Sequence, residues 1–74
     1  MQITVELHAS FRIGRFKSRA LEVPESAAIG RIALDLGIPE KDIGIVLVNG
    51  RHASSGETPK EGDVVSLLPR IGGG

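Results

Sequence analysis

The chain opens on a strict alternation. In MQITVELH, Ile3, Val5 and Leu7 fall on one side and Gln2, Thr4, Glu6 and His8 on the other. A period of two is that of a strand, so the segment predicts a strand with one buried face. SFRIGRFKSR follows, polar with Gly14 near its middle, and predicts the turn of a hairpin. SRALEV resumes the alternation, Leu21 and Val23 sharing a face. Pro24 closes it, because proline lacks the N–H that a ladder needs.

Over PESAAIGRIALDLG the period lengthens to that of a helix. Ile29, Ile32, Ala33 and Leu36 stand at i, i+3, i+4 and i+7, one apolar stripe on a helix of about three turns. Ser26 is the expected N-cap, with Ala27 and Ala28 behind it, Gly37 the expected left-handed C-cap, and Pro39 bars continuation. Gly30 weakens such a helix by about 1 kcal/mol relative to alanine, unless close packing against the sheet requires it. IGIVLVNG is almost continuously apolar and β-branched, which predicts a strand covered on both sides or lying at a crossover. Asn49-Gly50 favours a type I′ turn into RHA. SSGETPKEGD reads as loop, punctuated by Thr58-Pro59 and Gly62-Asp63, and VVSLLP as the last strand.

Strand, hairpin, strand, one helix and then further strands predict an α+β fold. A four- to five-stranded mixed sheet would carry one main helix on one face. The connection through the helix lets the first and last strands lie side by side in the middle, which is the β-grasp, or ubiquitin-like, architecture. No repeat and no internal boundary interrupts this order. The expected organisation is a domain over residues 1–69 and a flexible glycine tail over residues 70–74.

Composition removes many chemistries. The chain has 74 residues and no cysteine, and its only aromatic residues are Phe11 and Phe16. The core must therefore be aliphatic, and neither a disulfide nor a thiolate metal site can staple it. Thiol catalysis and side-chain sulfur carriage are excluded. His8 and His52 lack metal-ligand spacing, so no metal site is expected. No serine stands in a nucleophile-elbow pattern. Nothing reads as an active site built from side chains, and the chain is not expected to be an enzyme. No apolar run approaches a membrane span and no signal-peptide core is present, so no membrane association and a cytoplasmic location are expected.

The net charge is zero but uneven. Residues 1–20 carry Arg12, Arg15, Lys17 and Arg19 against Glu6 alone, whereas residues 21–42 carry Arg31 and Lys41 against Glu22, Glu25, Asp35, Glu40 and Asp42. The basic cluster, with two phenylalanines able to stack bases, has the composition of an RNA-binding surface. A generic polyanion binder is more basic overall. The expected reading is a solvated hairpin with one phenylalanine folded inward, a nucleic-acid partner not being expected. Steering onto an acidic protein partner is a third reading.

The remaining chemistry lies at the end, LLPRIGGG. Glycine gives up the most backbone freedom on ordering and has no side chain to bury in return, so three in a row are expected to be disordered in the isolated protein, either as a frayed end or as a main chain that is itself the functional group. VLVNGRHASSGETPKEGDVVSLLPRIGGG resembles the C-terminal third of the MoaD/ThiS sulfur-carrier proteins, small ubiquitin-like proteins ending in Gly-Gly. The marks are VNG in the hairpin, GD opening the last strand and the terminal PRIGGG. ASFR at 9–12 is similar to the alanine-then-arginine pattern after the first strand of MoaD-type members. Counting from GD aligns Gly73 and Gly74 with the functional pair, while Gly72 takes a slot usually held by another residue.

That resemblance implies a mechanism. An adenylating enzyme of the ubiquitin-activating type uses ATP to activate the carboxylate of Gly74. A sulfurtransferase or other sulfur donor converts it to a thiocarboxylate, and an acceptor synthase, MoaE-like or thiazole-synthase-like, takes the sulfur. The carrier itself binds no cofactor. Gly73 supplies narrowness, while Leu68, Pro69, Arg70, Ile71 and Gly72 present the tail. His8 and His52 stand where the MoaD-type partner patch is usually apolar, and Leu68 keeps that character. ASFR and LPRI lean the expectation towards molybdopterin or tungstopterin synthesis. A ThiS-like carrier for thiamine is the alternative within the class. An RNA-binding β-grasp module and a ubiquitin-like protein modifier stand outside it.

Overall fold

The computed structural model describes residues 1–70. The opening alternation forms β1 (Gln2–Leu7), followed by a 3-10 turn (Ala9–Arg12) and β2 (Ser18–Glu22). Next come α1 (Ile29–Asp35), a second 3-10 turn (Glu40–Asp42), β3 (Ile43–Val48), β4 (Arg51–Ala53) and β5 (Val64–Pro69). The strands make one five-stranded sheet in the order β2-β1-β5-β3-β4. β1 and β5 run parallel at its centre, and the other neighbours are antiparallel. This is the β-grasp anticipated from the order of elements.

One face of the sheet holds the core. Ile3, Val5 and Leu7 of β1, Val65 and Leu67 of β5, and Val46 and Val48 of β3 pack beneath Ile29, Ile32 and Ala33 of α1. Phe11 and Ile38 close its edges. With no large aromatic in the centre, stability rests on well-fitted aliphatic side chains, each worth about 1.5–3 kcal/mol on full burial.

The helix departs from expectation at its start. It begins at Ile29, and its N-cap is Ala28 in extended conformation, with no side-chain cap. Ser26 therefore does not cap it, and the helix is shorter than three turns. Main-chain carbonyls do the capping: the Ile29 N–H donates to Glu57 O at 2.9 Å and the Gly30 N–H to Ser55 O at 2.8 Å. A Cβ at Gly30 would lie 3.3 Å from Ser55 Cβ and Ser55 O. The close packing that justifies this glycine is thus against the 54–57 loop, not the sheet.

The other end follows the sequence. Gly37 is left-handed (φ +83). The N–H groups of Gly37 and Ile38 donate to Leu34 O and Ala33 O, both at 2.9 Å, the paired bonds of a Schellman motif.

Two further readings change. The segment after β1 is no simple turn: its 3-10 turn drives Phe11 into the core, and Gly14 then reverses the chain with φ +72. β3 is covered on one face only, with Ile45 and Leu47 half-buried on the other. The Asn49-Gly50 turn has both residues at positive φ (51 and 86), as type I′ requires.

Candidate functional site: the open sheet face and the chain exit

Directly opposed residues in neighbouring strands point to the same face. The register places Glu6 beside Ser66, Ser66 beside Leu47, and Leu47 beside His52, one row across the face away from α1. The next row pairs Leu68 with Ile45, and on the other side Thr4 stands beside Val64. Ile45, Leu47, Val64 and Leu68, all half-buried, thus form an apolar strip on the open face. His8 and His52 lie towards its two flanks. His8 lines a small hollow with Glu6, Arg12, Lys17 and Ser18, and its N–H donates to Leu67 O at 3.2 Å. His52 is exposed on β4. In the centre of the strip Ser66 is 8% exposed and donates its hydroxyl to Glu6 Oε1 at 3.3 Å.

β5 delivers the chain end. Pro69 pairs with Ile43 across an irregularity in β3, between Ile43 and Ile45. The Arg70 N–H then donates to Asp42 O at 3.1 Å, and Arg70 Nε donates to Lys41 O. The chain therefore leaves the sheet beside the second 3-10 turn. Ile71, Gly72, Gly73 and Gly74 lie outside the described residues.

The GD mark has a structural cause. Gly62, left-handed at φ +83, donates its N–H to Gln2 O at 2.7 Å. Asp63 O accepts from the Thr4 N–H at 2.9 Å, so this turn sets the register of β5 on β1. The Asp63 carboxylate accepts from the Lys60 N–H at 2.8 Å and from Asn49 Nδ2 at 3.0 Å, and Asn49 Oδ1 accepts from the Val64 N–H at 2.9 Å. These bonds, the Lys60 N–H foremost, hold the Asp63 pKa below its ordinary value, with Lys60 and Arg51 adding favourable charge.

The basic cluster is put to structural use. Arg12 Nε donates to Leu7 O at 2.7 Å. Arg15 donates to Leu36 O at 2.8 Å, to Gly37 O at 3.1 Å and to Phe11 O at 3.2 Å, tying the loop to the carbonyl end of α1. Phe11 is buried, and Arg19 lies over the Phe16 ring, 4.6 Å from its centroid. One phenylalanine is therefore beyond the reach of a base, and a face of the other is covered. Among the described residues, no group of three or more His, Cys, Asp or Glu side chains could hold a metal ion. Among them, too, no helix is long and apolar enough to cross a membrane.

The sequence reading named His8, His52, Leu68, Pro69 and Arg70 in this region, and the fold brings Leu68 between the histidines. It did not name Ile45, Leu47, Val64 or Ser66. The signal was present in the unbroken apolar run of β3, but a second apolar face looks the same in sequence whether it meets another layer of the same fold or stays open.

A five-stranded mixed sheet under one helix, with its first and last strands parallel and side by side, defines a ubiquitin-like β-grasp protein. Residues 2–72 match the family described as Mut7-C ubiquitin, and the chain belongs to that family. It is similar to SAMP1 of Haloferax volcanii, at 26% identity and a TM-score of 0.71 with all of both chains covered. It is also similar to a putative molybdopterin converting factor subunit 1 of Pyrococcus furiosus. There identity is 28%, the TM-score 0.73, and 96% of this chain and 99% of that one are covered. A chain of the Helicobacter pylori complex of subunits 1 and 2 of molybdopterin-converting factor shares the fold at 18% identity and a TM-score of 0.64, with both chains fully covered. No curated protein matches the chain by sequence.

Proposed function

We propose that the chain is a sulfur-carrier protein of molybdopterin or tungstopterin synthesis, a protein co-substrate and not an enzyme, working in the cytoplasm with Gly74 as its terminal residue. The observation that carries the reading is the glycine run that follows the central strand. A central strand, β5, runs out at Pro69 into Arg-Ile-Gly-Gly-Gly, in a chain that resembles a putative molybdopterin converting factor subunit over 96% of its length.

In this reading a Gly74 carboxylate oxygen attacks the α-phosphorus of ATP on the adenylating enzyme, and pyrophosphate leaves. A hydrosulfide-equivalent nucleophile from the sulfur donor then attacks the acyl carbon. The bond to AMP breaks, and a thiocarboxylate forms with release of a proton. A carboxylate is a poor acyl donor until AMP becomes its leaving group. Residues 71–74 extend at most about 14 Å from Arg70. The partner's channel must therefore come close to the body of the carrier, and glycines let it close around the main chain without a Cβ clash. The apolar strip of Ile45, Leu47, Val64 and Leu68, flanked by His8 and His52, is the surface that docks on the adenylating enzyme and on the acceptor synthase. Docking there supplies the affinity that offsets the entropy of ordering the tail.

Intact-mass spectrometry of the protein from its native cell, with fragmentation of the C-terminal peptide, tests this. The expected finding is a chain ending at Gly74 with one carboxylate oxygen replaced by sulfur. A plain carboxylate after incubation with adenylating enzyme, ATP and sulfur donor would overturn it. The similarity to SAMP1, a small archaeal modifier protein, supports a second reading, in which the same activated carboxylate forms isopeptide bonds. Conjugates of higher mass that require Gly74 would select it.

A further inference from the structure

Gly44 sits in the irregularity of β3 opposite the end of β5, and none of the glycine's usual conformational reasons applies to it. Its φ is not in the left-handed region that Gly14, Gly37, Gly50 and Gly62 occupy. What it lacks is room. A Cβ there would lie 2.7 Å from Pro69 O, 2.9 Å from Arg70 Cα and 3.0 Å from Arg70 N. All three are main-chain atoms, so no side-chain rotation could relieve the clash. The backbone of residues 69–70 passes directly against the backbone at Gly44.

That crossing is part of a clamp. The two bonds from Arg70, its N–H to Asp42 O and its Nε to Lys41 O, fasten the same residue to the 3-10 turn immediately before β3. The close approach at Gly44 and the bonds to the 41–42 carbonyls together fix where the chain leaves the sheet.

We infer that Gly44 is a positioning residue for the C-terminal carboxylate. It admits Pro69 and Arg70 to the 41–42 carbonyls, and so fixes the origin and heading of the four residues that carry the carboxylate to a partner's active site. The inference rests on the carrier reading above. Gly44 need touch neither ATP nor the partner. With the clamp closed, docking of the body places the carboxylate near its target. With it open, the tail starts two residues earlier and its end samples a wider volume, which lowers the effective concentration of carboxylate at the reacting phosphorus. Docking through the sheet face is unaffected, so the loss falls on turnover.

The test compares the wild-type chain with Gly44→Ala, using ATP–pyrophosphate exchange on the adenylating enzyme of the same organism and amide hydrogen exchange of the carrier. The expected result is a folded variant whose Arg70 N–H exchanges about tenfold faster, with kcat about tenfold lower and KM within about twofold. Unchanged Arg70 protection, or unchanged kcat with Arg70 released, overturns the positioning role. So does a rise in KM alone, which would place Gly44 in docking. Should Gly44→Ala fail to fold, Arg70→Lys decides, since it keeps the charge and removes the Nε donor. A lower kcat at constant KM supports the role, and wild-type kinetics overturn it. Absence of exchange with the wild-type chain would remove the carrier reading and the positioning role together. Exchange at the wild-type kcat in Gly44→Ala removes the positioning role alone.

Discussion

Asp63 and Gly30 are single positions whose roles reach beyond their own elements. The Asp63 carboxylate gathers the Lys60 N–H and the Asn49 amide, and its pKa lies below the ordinary 3.8. A depressed carboxyl pKa contributes stability that is fully present above the unfolded value and is lost as pH falls through the folded one. Wild-type protein should therefore lose stability as pH drops below 3.8, and Asp63→Asn should flatten that part of the profile. Urea midpoints over a pH series check this, and parallel profiles for the two proteins would refute it. At Gly30, alanine in a helix interior ordinarily gains about 1 kcal/mol. Here the new methyl would press on Ser55, whose carbonyl already accepts from the Gly30 N–H. Gly30→Ala should consequently unfold at or below the wild-type urea midpoint. A clear rise would mean that the 54–57 loop yields. The sequence flagged Gly30 as anomalous, but the loop that explains it lies more than twenty residues downstream.

Helix α1 shows how an element can be read correctly at one end and wrongly at the other. Its C-terminus is local: Gly37 and Ile38 complete a motif whose partners lie within a few residues, so glycine after an apolar stripe is enough to reveal it. Its N-terminus is nonlocal, since Ser55 and Glu57 supply the carbonyls, and no capping pattern near Ser26 could disclose that. The loop between β1 and β2 is similar. Its arginines look like a polyanion site in composition, yet Arg12 gives its Nε–H, and Arg15 three donors, to main-chain carbonyls. Arg15→Ala should lower stability by about 1 kcal/mol, a net value suited to bonds that remain partly solvated. Thermal unfolding measures it. A variant as stable as wild type would show that the carbonyl end of α1 is served as well by water.

The fold as a whole produces a two-sided sheet: α1 and the aliphatic core on one face, and on the other an apolar strip that no described element covers. Leu47, half-buried near the middle of that strip, contributes little to the core. Leu47→Asp should leave the melting temperature nearly unchanged and weaken binding to the adenylating enzyme by about tenfold or more, as expected for a central interface residue. Calorimetric titration measures the loss, and wild-type affinity would remove the strip from the docking surface. The β-grasp was legible because its evidence is periodic: alternation, then a helical stripe, then β-branched runs, in an order that few topologies accommodate. Openness of the second face was not, because a strand's composition records how much apolar surface it carries and not what covers it.

From its residues alone the chain specified, over the described residues, its strands, its α-helix and both turns at Asn49-Gly50 and Gly62-Asp63. These follow from local rules, side-chain period, φ preference and missing donors, which act over a few residues. Tertiary contact settled the rest: which carbonyls cap α1, that Arg12 and Arg15 are struts, that Leu47 joins Leu68 on an open face, and that Gly44 gives way to the backbone of Arg70. Each of these joins segments far apart in sequence, and such pairings exist only once the sheet has brought the strands together.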